Sequence, residues 1–104
     1  MQFTLRLIAA DAHAAEATDH VLALANDADA LEPSLEGVTR IDLHFPKFTD
    51  GRAYSQAFLL RRRRGFTGEI RATGDVLIDQ LVQLQRTGFS SAVLRADQDP
   101  AHAR

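Results

Sequence analysis

Two glycine-marked junctions restrict what this chain can fold into. Gly65-Phe66-Thr67-Gly68-Glu69-Ile70-Arg71-Ala72-Thr73-Gly74-Asp75 follows one helical pattern, and Gly88-Phe89-Ser90-Ser91-Ala92-Val93-Leu94-Arg95-Ala96-Asp97 follows the next. Each offers a glycine where a helix end needs the left-handed conformation, then a polar turn, then a short β-rich run. The two caps lie about 23 residues apart, which suits one strand plus one helix.

The segments around the caps read in the same way. Asp50 is placed to N-cap a helix through about residue 64, with Gly65 just beyond its end. Ala53, Ala57, Leu60 and Arg64 share a stripe of that helix, and Tyr54, Phe58 and Leu59 widen its apolar face. Asp75, or Thr73 before it, is placed to cap a second helix through about residue 87. Leu77, Leu81 and Leu84 mark its buried stripe, flanked by Ile78 and Val82, while Asp79 and Gln83 face water. Strands are expected over 38–45, 69–72 and 92–95. The run 21–25 reads as another buried strand, followed by a short helix over 28–36 that Gly37 stops. A helix over 12–25 is the competing reading, since alanine is the best helix former. Residues 3–8 alternate and suit an edge strand, and the tail 97–104 is expected to fray.

The fold class that follows is α/β: a small, mainly parallel sheet built from consecutive βα units with right-handed crossovers. The 104 residues are read as a single domain. So short a sheet leaves edges that two or three helices cannot all cover, which points to a homodimer.

Composition excludes several chemistries. The chain has no cysteine, so disulfides, thiolate metal sites and cysteine nucleophiles are absent. No apolar run approaches the ~18 residues of a membrane span, and the first residues lack the pattern of a secretory signal, so a cytoplasmic address is expected. The net charge of −2 hides an asymmetry. Residues 1–46 carry −6 and residues 47–104 carry +4. The positive half holds Arg61, Arg62, Arg63 and Arg64 in succession. Consecutive residues point all round a helix, and cations in its last turn complement the dipole. Nucleic-acid binding is not expected, because no aromatic platform accompanies the run.

In a parallel sheet the strand C-termini share one rim, where ligands usually bind. His44, Lys47, Asp50, Arg52, Arg71, Thr73 and Asp75 would gather there. Lys47, Gly51, Arg52 and Arg71 are candidate anion-binding residues, because a helix N-terminus and a planar guanidinium favour an oxyanion. Against this, Asp50 as a cap would already occupy the helix donors, and Arg71 with Asp75 can form a structural ion pair. His44, beside Asp42 on the same strand face, and Asp75 are the candidate catalytic groups. No nucleophile is placed with them. His13, His20 and His102 show no metal-ligand spacing, and neither glycine cluster is a nucleotide signature, so no metal and no cofactor are expected.

The segments FPKFTDGRAYSQA, LLRRRRGFTGEIRATGDVLIDQL and RTGF, in that order, resemble the bacterial domain-of-unknown-function family DUF934. The resemblance covers residues 21–94. Phe45, Pro46, Phe48, Asp50, Gly51, Arg52, Tyr54 and Ser55 match its first motif. Gly68, Arg71, Gly74, Asp75, Val76, Asp79 and Gln80 match the second, and Arg86, Gly88 and Phe89 the third. The chain departs from the family pattern at His44, Ala53 and Thr87, where Asp, Gly and Cys are usual. The resemblance implies a setting: such proteins are often encoded beside sulfite reductase. It implies no reaction. The expected function is a small soluble accessory protein of assimilatory sulfate or sulfite reduction. It would act through a protein partner such as sulfite reductase or another sulfur-assimilation enzyme. The alternative is a protein or enzyme that binds a small oxyanion (sulfite, sulfate or phosphate) at the strand-end rim.

Overall fold

The computed structural model describes residues 5–9, 12–13, 19–47, 51–76 and 78–93, with the backbone alone for Ile78. Among these residues five strands form one sheet: β1 (Arg6–Ile8), β2 (Val21–Leu24), β3 (Arg40–Phe45), β4 (Glu69–Gly74) and β5 (Ser91–Val93). Their spatial order is β1-β5-β4-β3-β2, and every neighbouring pair is parallel. Helix α1 (Arg52–Arg62) joins β3 to β4. A 3-10 turn (Ile78–Gln80) leading into α2 (Leu81–Thr87) joins β4 to β5. The α/β expectation is met, and β3, β4 and β5 are consecutive neighbours, as successive βα units require.

The two faces of the sheet differ in chemistry. Register pairs Ile41 with Ile70 and Leu43 with Ala72, and Ala72 in turn with Ala92. These side chains, with Phe45, meet Ala53, Ala57 and Leu60 of α1 and Leu84 of α2 in a buried core. The small residues of α1 let the helix approach the sheet closely. Phe45 anchors an aromatic cluster, 5.1 Å from the Tyr54 ring and 5.9 Å from Phe89. The other face carries Arg40, Asp42 and His44 from β3, Glu69, Arg71 and Thr73 from β4, and Ser91 from β5. Parallel sheets are usually apolar on both faces. Here alternation in β3 and β4 makes one face ionic.

Several local expectations are corrected. Residues 28–36 form turns, not a helix. Asp29 Oδ1 accepts from the Leu31 N–H at 2.9 Å, and Ser34 Oγ from Glu36 N–H at 3.4 Å. These side chains compete with helical bonding, and Pro33 supplies no donor. Residues 21–24 are a strand, so the competing helix over 12–25 does not run through them. The second helical stretch begins at Ile78 and not directly after Asp75, whose N–H donates to the Phe45 carbonyl at 2.7 Å and so continues the β3–β4 pairing. Gly51 occupies the N-cap position of α1, and Phe48 and Asp50 lie outside the described residues, as do Leu77 and the tail 97–104.

Two glycines are required by the backbone. Gly88 caps α2 at φ 111°, and Gly74 ends β4 at φ 88°. A Cβ on Gly74 would collide with the Phe45 carbonyl oxygen and lie 2.6 Å from His44 Cε1. Gly74→Ala is therefore expected to cost about 2 kcal/mol. An unchanged urea midpoint would show that this turn relaxes without cost.

Candidate functional site

The structure brings together only some of the predicted rim residues: His44 and Thr73 share a cleft, whereas Arg52 and Arg71 lie elsewhere. His44 is exposed at the end of β3, with its ring over Gly74. With His13, Asp42, Thr73 and residues 23–25 it lines a cleft of about 380 Å³. Lys47 and Pro46 are exposed beyond β3, and Gly51 is exposed at the start of α1. Arg52 lines a separate cavity of about 430 Å³ together with Ser55, Gln56, Leu59 and residues 26–30. Asp27 and Asp29 are in that lining. Gln56 pins the segment to α1 by donating to the Ala25 and Ala28 carbonyls at 2.7 and 2.9 Å. Asp75 follows β4 at the rim, while Arg71 lies away from it.

Arg71 is 1% exposed and sits within β4, opposite Asp42 and Ser91. The expected pairing with Asp75 at the strand end gives way to a network on the ionic face. The reason is length: β4 runs to Gly74, two residues beyond the expected end at 72, which leaves position 71 mid-strand. Arg71 NH2 lies 2.8 Å from Glu69 Oε2, and its Nε donates to the same oxygen at 2.9 Å. Ser91 Oγ donates to Glu69 Oε2 at 2.5 Å, and Arg6 reaches that oxygen at 3.1 Å. Burial by itself raises the Glu69 pKa, but the Ser91 hydroxyl, the Arg71 guanidinium and the charge of Arg6 together carry it below the ordinary carboxylate value. His13 Nδ1 lies 2.9 Å from Arg71 NH1. A guanidinium only donates, so Nδ1 is the acceptor in this contact. Beside this network Arg40 holds Asp42 with two contacts, at 2.8 and 3.1 Å. The face is an array of matched charges, which orients loops more than it binds an added ion.

The arginine run divides by role. Arg61 donates to the carbonyls of Gly88, Phe66 and Gly68 at 2.9, 2.8 and 2.7 Å, and to Ser90 Oγ at 2.8 Å. Arg64 donates to the Ala30 and Pro33 carbonyls at 3.1 and 2.8 Å. These two guanidiniums clasp loops from three parts of the chain. Arg62 and Arg63 are exposed. Of the matched motif residues, Gln80 donates to the Tyr54 hydroxyl at 3.2 Å, tying the 3-10 turn to α1, and Asp79 is exposed.

Sequence reasoning placed Phe58 and Val82 on or beside buried stripes, yet they are 53% and 54% exposed. Tyr54, Ser55, Phe58, Leu59 and Thr87 line a groove of about 370 Å³ on the outer side of α1 and α2. The available signal was the narrowness of each core stripe. Ala53, Ala57 and Leu60 already fill the sheet-facing side of α1, and Leu81 with Leu84 that of α2, so a further large side chain has no core position left. Among the described residues no group of three or more His, Cys, Asp or Glu is placed to hold a metal, and no helix is long and apolar enough to cross a membrane.

The fold and surfaces define a small all-parallel α/β domain with one ionic sheet face and a helix layer bearing an exposed apolar groove. The chain belongs to the bacterial family of proteins of unknown function DUF934, whose model matches residues 20–104. No curated protein and no solved structure matches it.

Proposed function

We propose that this protein is a small cytoplasmic accessory component of assimilatory sulfite reduction, and that it works by docking on a protein partner such as sulfite reductase. The observation that carries the reading is the groove on the helix layer. Phe58, 53% exposed, lines it with Tyr54, Ser55, Leu59 and Thr87, while the other apolar residues of α1 are packed. Exposed apolar area of this kind, rimmed by polar groups, marks interaction surfaces. The sulfur setting rests on the family resemblance.

The oxyanion reading is the weaker one. Lys47, Gly51 and Arg52 stay close in sequence, but Arg71 is committed to Glu69 on the sheet face. The cavity beside Arg52 presents Asp27 and Asp29, which repel an anion.

Immobilised protein is expected to retain purified sulfite reductase at low salt, and a Phe58→Ser variant to release it. Retention by the variant at the unaltered level would remove this surface from the reading. Sulfite titration calorimetry supplies the second arm: heat at millimolar sulfite that Arg52→Ala abolishes would reinstate the oxyanion alternative.

A further inference from the structure

We infer that the cavity between α1 and the turns over 26–30 binds an alkylammonium group. Arg52, Ser55, Gln56 and Leu59 line one wall of it. Their spacing of three and four residues puts them on one flank of α1. Asp27, Ala28, Asp29 and Ala30 belong to the segment that lines the other wall.

Gln56 is the decisive residue. It is 4% exposed, and its Nε2 donates to the Ala25 and Ala28 carbonyls at 2.7 and 2.9 Å. Carbonyls only accept, so the amide cannot be turned over without losing both bonds. Its oxygen is therefore fixed away from them, buried, and without a hydrogen-bond partner among the described residues. Buried amide oxygens are nearly always paired, by protein, water or ligand. The unmet requirement at this wall is a donor.

The other wall adds charge. Asp27 and Asp29 are exposed, and the Leu31 N–H holds the Asp29 carboxylate in place through Oδ1 at 2.9 Å. Arg52 is the cation among the described lining residues, and it is already engaged in an interaction of its own. Two carboxylates against one guanidinium leave the lining acidic. The positive end of the α1 dipole acts at Arg52 and fades within the first turn, before Gln56. A metal ion is a poorer match, since among the described residues no three His, Cys, Asp or Glu are placed to hold one. An ammonium donates in three directions and carries the charge that the carboxylates match. Ala28, Ala30 and Leu59 supply apolar surface for its methylene stem.

Such a group has two sources, a lysine side chain of a docked protein or a free amine. Ser55 and Leu59 line both this cavity and the groove that holds Phe58, so a lysine beside a residue seated in the groove reaches the cavity. The cation site itself does not require the docking reading.

The test is an NMR titration of isotope-labelled protein with n-butylammonium, against n-butanol and butyrate as controls. Butylammonium is expected to move the Gln56 side-chain amide signal and the backbone signals of Asp27 and Asp29, and to saturate at millimolar concentration. Butanol and butyrate should leave those signals in place. Asp27→Asn/Asp29→Asn keeps an oxygen for the Leu31 N–H, and should weaken butylammonium at least about tenfold with circular dichroism unchanged. Equal responses to butylammonium and butanol, no response at tens of millimolar butylammonium, or undiminished binding by a folded asparagine variant overturns the inference and leaves Gln56 to a water molecule. Should the variant unfold, the comparison of probes on the unaltered protein still decides. Retention of sulfite reductase then separates the sources. Its release by Asp27→Asn/Asp29→Asn assigns the site to a lysine of the partner, and unaltered retention assigns it to a free amine. If butylammonium binds while sulfite reductase is not retained by the unaltered protein, the cation site stands and the docking reading falls. If sulfite reductase is retained while butylammonium does not bind, docking stands and the cation site falls.

Discussion

Arg61→Ala is expected to lower stability by about 4 kcal/mol, the largest effect of any single change proposed for this protein. Arg61 supplies donors to three backbone carbonyls and one hydroxyl, drawn from the loop that leads into β4 and from the turn after α2. Its aliphatic stem also packs on Gly88, where an added Cβ would lie 2.6 Å from Arg61 Cγ. Truncation leaves several partly buried acceptors without a donor and opens space beside the α2 cap. Arg61→Lys should recover part of the loss, because an ammonium reaches one or two of the four acceptors. Urea unfolding of the three proteins decides the matter. A loss below 1 kcal/mol in the alanine variant would mean that water replaces the guanidinium without penalty.

Glu69→Ala is expected to cost about 3 kcal/mol, because it removes a carboxylate from a guanidinium that is almost wholly buried. The exposed Arg6 contributes little to this figure. A pH dependence accompanies it. The Glu69 pKa is lowered in the folded state, so the unfolded chain takes up a proton at higher pH than the folded one does. The stabilisation is complete above the ordinary carboxylate value of 4.5 and is lost as pH falls through the lower folded value. Urea midpoints measured downward from neutral pH should therefore decline more steeply for the unaltered protein than for Glu69→Gln. Parallel declines would show that Glu69 titrates alike in both states.

Much of the fold was legible because its signals are local. Gly65 and Gly88 mark helix ends through a left-handed backbone that a side chain disfavours, and both have positive φ in the structure. The alternation in Arg40-Ile41-Asp42-Leu43-His44-Phe45 placed Asp42 and His44 on one face, and the strand has that pattern of burial. The extra helix over 28–36 was misread because composition in that segment favours a helix, while Asp29, Ser34 and Pro33 divert its backbone bonding.

The candidate site was less legible. Arg71 looked like a strand-end ligand group, and its partner Ser91 lies 20 residues away while His13 lies 58 away. No local pattern encodes such pairings; they exist because register aligns β4 with β5 and the chain leaving β1 brings His13 over the sheet. The four arginines were indistinguishable in sequence, and their separate roles depend on which loops each guanidinium can reach. Phe58 and Val82 likewise fitted an apolar stripe until the helices were docked on the sheet. Local residue chemistry thus determined that this is a mainly parallel α/β domain with glycine-marked helix ends, since φ preference and hydrophobic period act over a few residues. Tertiary structure alone decided which charges are matched, which arginines remain outward and where apolar surface is left uncovered, because those depend on distances between segments far apart in the chain.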